Sequence, residues 1–157
     1  MKTKFAIGCL VQWYECDIIE EYVDSLKNAI SEYGGQVICD FTILGNQDLE
    51  KCTTKSQLNE CIEKIKTICN FGNVRYIDDL HTIADYRREF NVNYCDDVDV
   101  LVWGESDMLA PKQMFTVLDS LHNNIPITKY LATFGICKMW DDSWKLLEHI
   151  DFTDKPL

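Results

Sequence analysis

The stretch Val98-Asp99-Val100-Leu101-Val102-Trp103-Gly104-Glu105-Ser106-Asp107-Met108-Leu109-Ala110-Pro111 joins an apolar run to two carboxylates and a proline. Val98 to Trp103 reads as a strand, apolar enough to be covered on both faces. Glu105 and Asp107 follow two residues apart, a spacing that points both side chains the same way in extended chain. Pro111 suits the start of a helix. Met114, Phe115, Val117, Leu118 and Leu121 are expected on its inward face. A buried strand that delivers acids immediately before a helix is the carboxyl end of a β–α unit, where sheets of this type bind ligands.

Working outward, the same alternation recurs. Phe5 to Val11 is a first apolar strand, and a helix is expected over 17–33, with Ile18, Ile19, Tyr22, Val23, Leu26, Ala29, Ile30 and Tyr33 at helical spacing. Asp17 and Glu20 stand where a capping-box start needs them, and Gly34-Gly35 is a stop. Val37 to Leu44 is a second strand, followed by a helix over 55–69 that carries Leu58, Cys61, Ile62, Ile65, Ile68 and Cys69 on one face. Val74 to Ile77 is a third strand. A helix over 80–91 uses Leu80, Ile83, Ala84 and Phe90. Four strands alternating with four helices predict an α/β domain with a Rossmann-like, mostly parallel sheet. The tail from 128 is less regular, with a strand expected over 129–139 and a short helix over 141–148.

Composition narrows the function classes. The chain has 157 residues and is 46% hydrophobic and 26% charged, which suits one globular domain. Its net charge of −11 argues against a nucleic-acid partner, because such partners are held by Lys and Arg on phosphates. No segment reaches the roughly 20 apolar residues of a membrane span. Lys2 and Lys4 before Phe5 to Val11 faintly resemble a signal peptide, but the run is short and lacks a small-residue cleavage site. A cytoplasmic protein is expected. The eight cysteines, at 9, 16, 39, 52, 61, 69, 95 and 137, form no Cys-x-x-Cys pair, and reduced thiols are the simplest reading.

Two carboxylates at a strand end can share one hard cation, with phosphate and water completing the shell; Mg²⁺ and Mn²⁺ both suit oxygen ligands. The alternative for Glu105 and Asp107 is a capping pair or a solvated turn. The stretch resembles the DxD region of GT-A glycosyltransferases, in the large inverting family-2-like group. The preceding Ala84-Asp85-Tyr86-Arg87-Arg88-Glu89-Phe90-Asn91 is similar to the Ala-Arg-Asn helix of that group. Val11-Gln12-Trp13-Tyr14-Glu15, followed by Val23-Asp24-Ser25-Leu26, is similar to its opening strand, loop and helix. The similarity covers residues 4 to 121. Glu105 replaces the family's first Asp, Glu15 stands where Asn is frequent, and Glu89 follows Arg88 where Asn is expected. Leu44-Gly45-Asn46-Gln47-Asp48 keeps the Gly and last Asp of a longer acidic run.

The resemblance implies a nucleotide-diphosphate sugar donor, a glycan or other hydroxyl acceptor, and Mn²⁺ or Mg²⁺ at Glu105 and Asp107, with His149 as a further ligand. It implies donor contacts from Gln12, Tyr14, Glu15, Asp48, Arg87, Arg88, Trp103 and Ser106. Trp13 is an alternative to Tyr14 for packing on the nucleoside. Asp141 and Asp142 are the candidates for a general base; as residues before a predicted helix they also suit its N-cap. Arg87 and Arg88 suit diphosphate binding and equally an ion pair with Asp85 or Glu89. His149 suits an exposed surface position as well. The chain is read as a single domain, with 1–121 as the nucleotide-sugar portion and 122–157 as an acceptor-side portion shorter than the family's. Two other readings stand beside the transferase. A degenerate or truncated domain would bind a nucleotide sugar or a protein without turnover. A metal-dependent nucleotidyltransferase would need a Gly-rich basic loop after the first strand, and Val11 to Asp17 has no Gly, Lys or Arg.

Overall fold

A computed structural model describes residues 1–45, 50–77, 81–126, 129–132, 138–140 and 146–148. Asp48, Asp141, Asp142 and His149 lie outside the described residues. The chain divides into two compact units, Met1–Ile125 and Pro126–Leu157.

The first unit holds strands β1 (Phe5–Gln12), β2 (Val37–Leu44), β3 (Asn73–Ile77) and β4 (Val100–Glu105). They form one sheet in the order β3-β2-β1-β4, and every pairing is parallel. Helices α1 (Ile19–Tyr33), α2 (Lys55–Ile68), α3 (Ile83–Tyr94) and α4 (Met114–Asn124) alternate with the strands. The predicted α/β architecture with a parallel sheet is what the chain forms. Each strand needs a helical crossover to reach a parallel neighbour.

Side-chain alternation along β1 sorts the layers. Phe5, Ile7, Cys9 and Val11 pack with α1, with Ile62 and Ile65 of α2, and with Met114, Phe115 and Leu118 of α4. Ala6 and Leu10 pack on the opposite face, with Tyr86, Phe90 and Tyr94 of α3. Right-handed crossovers explain this division. The sheet grows from β1 to β3 in one direction, so α1 and α2 share a face. The chain then passes back beyond β1 to place β4, so α3 takes the other face. Gly8 lets α3 approach closely: a Cβ there would lie 2.6 Å from the Tyr86 hydroxyl and 2.7 Å from the Phe90 ring.

Local chemistry moves several predicted boundaries. Helix α1 begins at Ile19 without a side-chain cap, because the Asp17 carboxylate accepts a 2.7 Å hydrogen bond from Lys64 instead of capping. It ends at Gly34, whose φ of 60° is left-handed. Helix α3 spans 83–94, later than the predicted 80–91, because Thr82 and Asp85 form a capping box that starts it there. Strand β4 starts at Val100 and runs to Glu105. Val117 is 49% exposed, not inward; it sits at the margin of the stripe that buries Met114, Phe115 and Leu118. Ile83 is likewise exposed, as the first residue of α3.

The second unit contains β5 (Lys138–Trp140) and β6 (Leu146–Glu148), paired antiparallel with Lys138 opposite Glu148. The predicted helix over 141–148 is therefore corrected at Leu146–Glu148, whose backbone pairs with a neighbouring strand. Of the predicted strand over 129–139, Lys138 and Met139 belong to β5 and residues 129–132 are irregular. Among the described residues no helix is long and apolar enough to cross a membrane.

Candidate functional site

The direction of strand addition reverses between β1 and β4, so the segments leaving these strands diverge. A crevice opens at the carboxyl ends of two such strands. Here it is a cleft of about 110 Å³ lined by Leu10, Gln12, Glu15, Ile83, Tyr86, Arg87, Trp103, Gly104, Glu105, Ser106 and Asp107. Sites that enclose a drug-sized ligand run to roughly 300–1,000 Å³, so the cleft holds only part of a ligand of nucleotide-sugar size.

Strand β4 supplies one wall. Trp103, Glu105 and Asp107 are exposed, whereas Ser106 turns inward and is 4% exposed. Glu105 closes β4 and Asp107 follows in the turn after it, so the exposure of both acids comes from the strand end and that turn and not from an extended-chain alternation. The turn after β1 supplies a second wall. Residues Trp13–Glu15 form a single 3₁₀ turn, and Glu15 folds back so that its Oε2 accepts the Gln12 backbone N–H at 2.7 Å. The Ser106 hydroxyl donates to the same carboxylate and lies 3.3 Å from the Leu10 carbonyl oxygen. These contacts tie the ends of β1 and β4 together. Burial first, then the negative charges of Asp107 and Glu105, hold the Glu15 carboxyl above the usual carboxylate range; the Ser106 and Gln12 hydrogen bonds oppose that rise. Asp107 and Glu15 also raise the Tyr14 phenol, secondary to its burial.

Helix α3 supplies the cation. Arg87 Nη2 lies 3.1 Å from Glu105 Oε1, and its guanidinium sits 5.1 Å from the Trp103 ring centre. The Trp103 indole N–H donates to Asn91 Oδ1 at 3.1 Å. Both contacts of Arg87 are solvent-exposed, and each is worth about 1 kcal/mol or less. An anionic ligand can therefore draw the guanidinium away at small cost. Polar contacts anchor α3 to the sheet: Tyr94 donates to the buried Asp40 at 2.6 Å, and Glu89 accepts from Arg75 of β3 at 3.0 Å and contacts His81 at 2.7 Å.

The cleft brings together seven of the sequence-predicted residues: Gln12, Glu15, Arg87, Trp103, Glu105, Ser106 and Asp107. Tyr14 is outside its lining, 48% exposed. Arg88 faces elsewhere and pairs with Asp85 at 2.9 Å. Sequence reasoning missed Leu10, Ile83, Tyr86 and Gly104. Tyr86 is 2% exposed, and its hydroxyl has no hydrogen-bond partner among the described residues. Burial raises its phenol far above the usual range, so it stays a neutral hydroxyl. The available signal was Gly8, since a glycine inside an apolar strand marks a close approach.

Among the described residues no three His, Cys, Asp or Glu side chains cluster to hold a metal by themselves. Glu105 and Asp107 are the two carboxylates on the open side of the cleft, and Glu105 is paired with Arg87.

No family model, curated protein or solved structure matches the chain.

Proposed function

We propose that the protein binds a nucleotide-diphosphate sugar in the cleft between β1 and β4, as a GT-A-type glycosyltransferase dependent on Mn²⁺ or Mg²⁺. One observation carries this reading: Glu105, Asp107, Arg87 and Trp103 converge at the carboxyl ends of the two strands where the sheet reverses direction. A bound cation would act as a Lewis acid on the leaving diphosphate. The chain's own residues do the rest. Glu105 and Asp107 provide the anionic oxygens. Arg87 exchanges Glu105 and Trp103 for phosphate oxygens, adding a planar donor fork that never loses its charge. Trp103 offers an exposed ring face to the ligand. Glu15 and Ser106 hold the two strand ends in register. Asp141 or Asp142 is proposed as the base that takes the proton of the acceptor hydroxyl.

A binding module without turnover is the second reading, and the Arg87–Glu105 ion pair favours it because it already neutralises one of the two acids. Isothermal calorimetry with UDP and GDP, in Mn²⁺ and in chelator, tests the donor site. Wild type is expected to bind one nucleotide only with Mn²⁺. Asp107→Ala, with unchanged circular dichroism, is expected to lose at least tenfold in affinity. Absence of binding by either nucleotide under every metal condition overturns the donor-site proposal for these bases. Metal-dependent binding without slow release of nucleoside diphosphate from the matching sugar donor favours the module.

A further inference from the structure

The turn that carries Glu15 ends at Cys16, and Cys16 meets Cys61 of α2. Their sulfurs are 2.9 Å apart. A disulfide bond is about 2.05 Å long, so the two atoms need to approach by less than ~1 Å to bond. A second contact holds the same register. Asp17 follows Cys16, Lys64 lies three residues after Cys61 on α2, and these two side chains pair at 2.7 Å. Cys9, Cys39, Cys69 and Cys95 form no disulfide. Cys52 and Cys95 are exposed, whereas Cys9, Cys39 and Cys69 are buried.

We infer that Cys16 and Cys61 form a redox modification site: under an oxidising thiol poise they close a disulfide that staples the Glu15-bearing turn to α2. This inference does not rest on the donor-site proposal, since its readout is a covalent bond outside the cleft lining.

The chemistry runs in two exchanges with glutathione disulfide as the oxidant. Cys61 is half-buried and Cys16 is buried, so Cys61 is the thiol the oxidant reaches. Its thiolate attacks one sulfur of glutathione disulfide, forming a mixed disulfide and releasing one glutathione thiolate. Cys16 then gives up its proton, attacks Cys61 Sγ and displaces the second glutathione. Two protein thiols are oxidised and one glutathione disulfide is reduced to two glutathione molecules. Burial, and then Cys61 itself, pushes the Cys16 thiol up to about 12. It therefore rests as a thiol at neutral pH and acts as the resolving partner, not as the group that opens the exchange.

The experiment uses the full chain under native conditions. The protein is equilibrated with glutathione and glutathione disulfide at several ratios, alkylated, digested and mapped by mass spectrometry. The expected product is a peptide pair linked Cys16 to Cys61, reversed by dithiothreitol, with Cys52 and Cys95 carrying glutathione instead. Closing a loop of this length is expected to raise the Tm of the oxidised chain, on the order of 10 °C. Cys61→Ser, a near-isosteric change at a half-buried position, is expected to remove both the link and the Tm difference. The inference is overturned if Cys16 and Cys61 stay free while Cys52 and Cys95 are modified. It is equally overturned if Cys61 stops at the mixed disulfide, or if the link forms only after urea unfolding.

Discussion

At the residue scale, the cleft is a balance between acids and one arginine. Ser106 and the Gln12 backbone donate to Glu15, yet burial and its acidic neighbours still hold its carboxyl above the usual 4.5. A carboxyl raised in this way binds its proton more tightly in the folded chain than in the unfolded one. Its ionised form is therefore a burden at neutral pH, relieved as pH falls through the folded pKa. Glu15→Gln keeps an oxygen acceptor for both donors and removes the charge. Thermal unfolding between about pH 7 and pH 4 is expected to show the variant gaining Tm at neutral pH relative to wild type, with the gain shrinking on acidification. A Tm difference that does not change with pH would refute this account. Residue identity also marks the limit of reading a sequence. Arg87 and Arg88 are adjacent and chemically alike, and only the 100° rotation per residue of a helix sends one into the cleft and the other to Asp85. Tyr86 was hidden for a related reason: an aromatic four residues before Phe90 reads as core, and its ring does pack there.

At the element scale, helix α3 decides whether the site exists, because Tyr86 and Arg87 both belong to it. Its start is a reciprocal cap. The Thr82 hydroxyl oxygen accepts the Asp85 N–H at 3.1 Å, and the Asp85 carboxylate accepts the Thr82 N–H at 3.1 Å. Thr82→Ala removes one half of this exchange and is expected to lower stability by about 1 kcal/mol, read as a reduced midpoint of chemical denaturation with an unchanged slope. No change in the midpoint would mean that the tertiary anchors alone set the helix start. The apolar periodicity located α3 to within about three residues, since a stripe repeats without marking its own ends. The cap was present in the sequence as Thr82-Ile83-Ala84-Asp85, but Asp at the third position departs from the Glu or Gln of the usual pattern.

At the scale of the whole molecule, both apolar clusters lie within the first unit. One packs α1, α2 and α4 on the sheet, and the other packs α3 on its opposite face. A fragment spanning Met1–Ile125 is therefore expected to fold by itself, with a single cooperative thermal transition by circular dichroism. A broad, non-cooperative melt would show that the core needs chain beyond Ile125. Alternating strands and helices, the parallel sheet and the acids at the end of β4 were all legible in the sequence. They follow from local rules: side-chain period, strand-to-helix order and the chemistry of carboxylates. Strand order was not legible, because pairing joins residues far apart in the chain, such as Ala6 with Leu101. Only the tertiary structure decided that β4 lies beside β1, that α3 crosses to the other face, and that Arg87, Glu105, Glu15 and Ser106 therefore meet. The physical reason is that packing, and not spacing along the chain, brings distant side chains to one place.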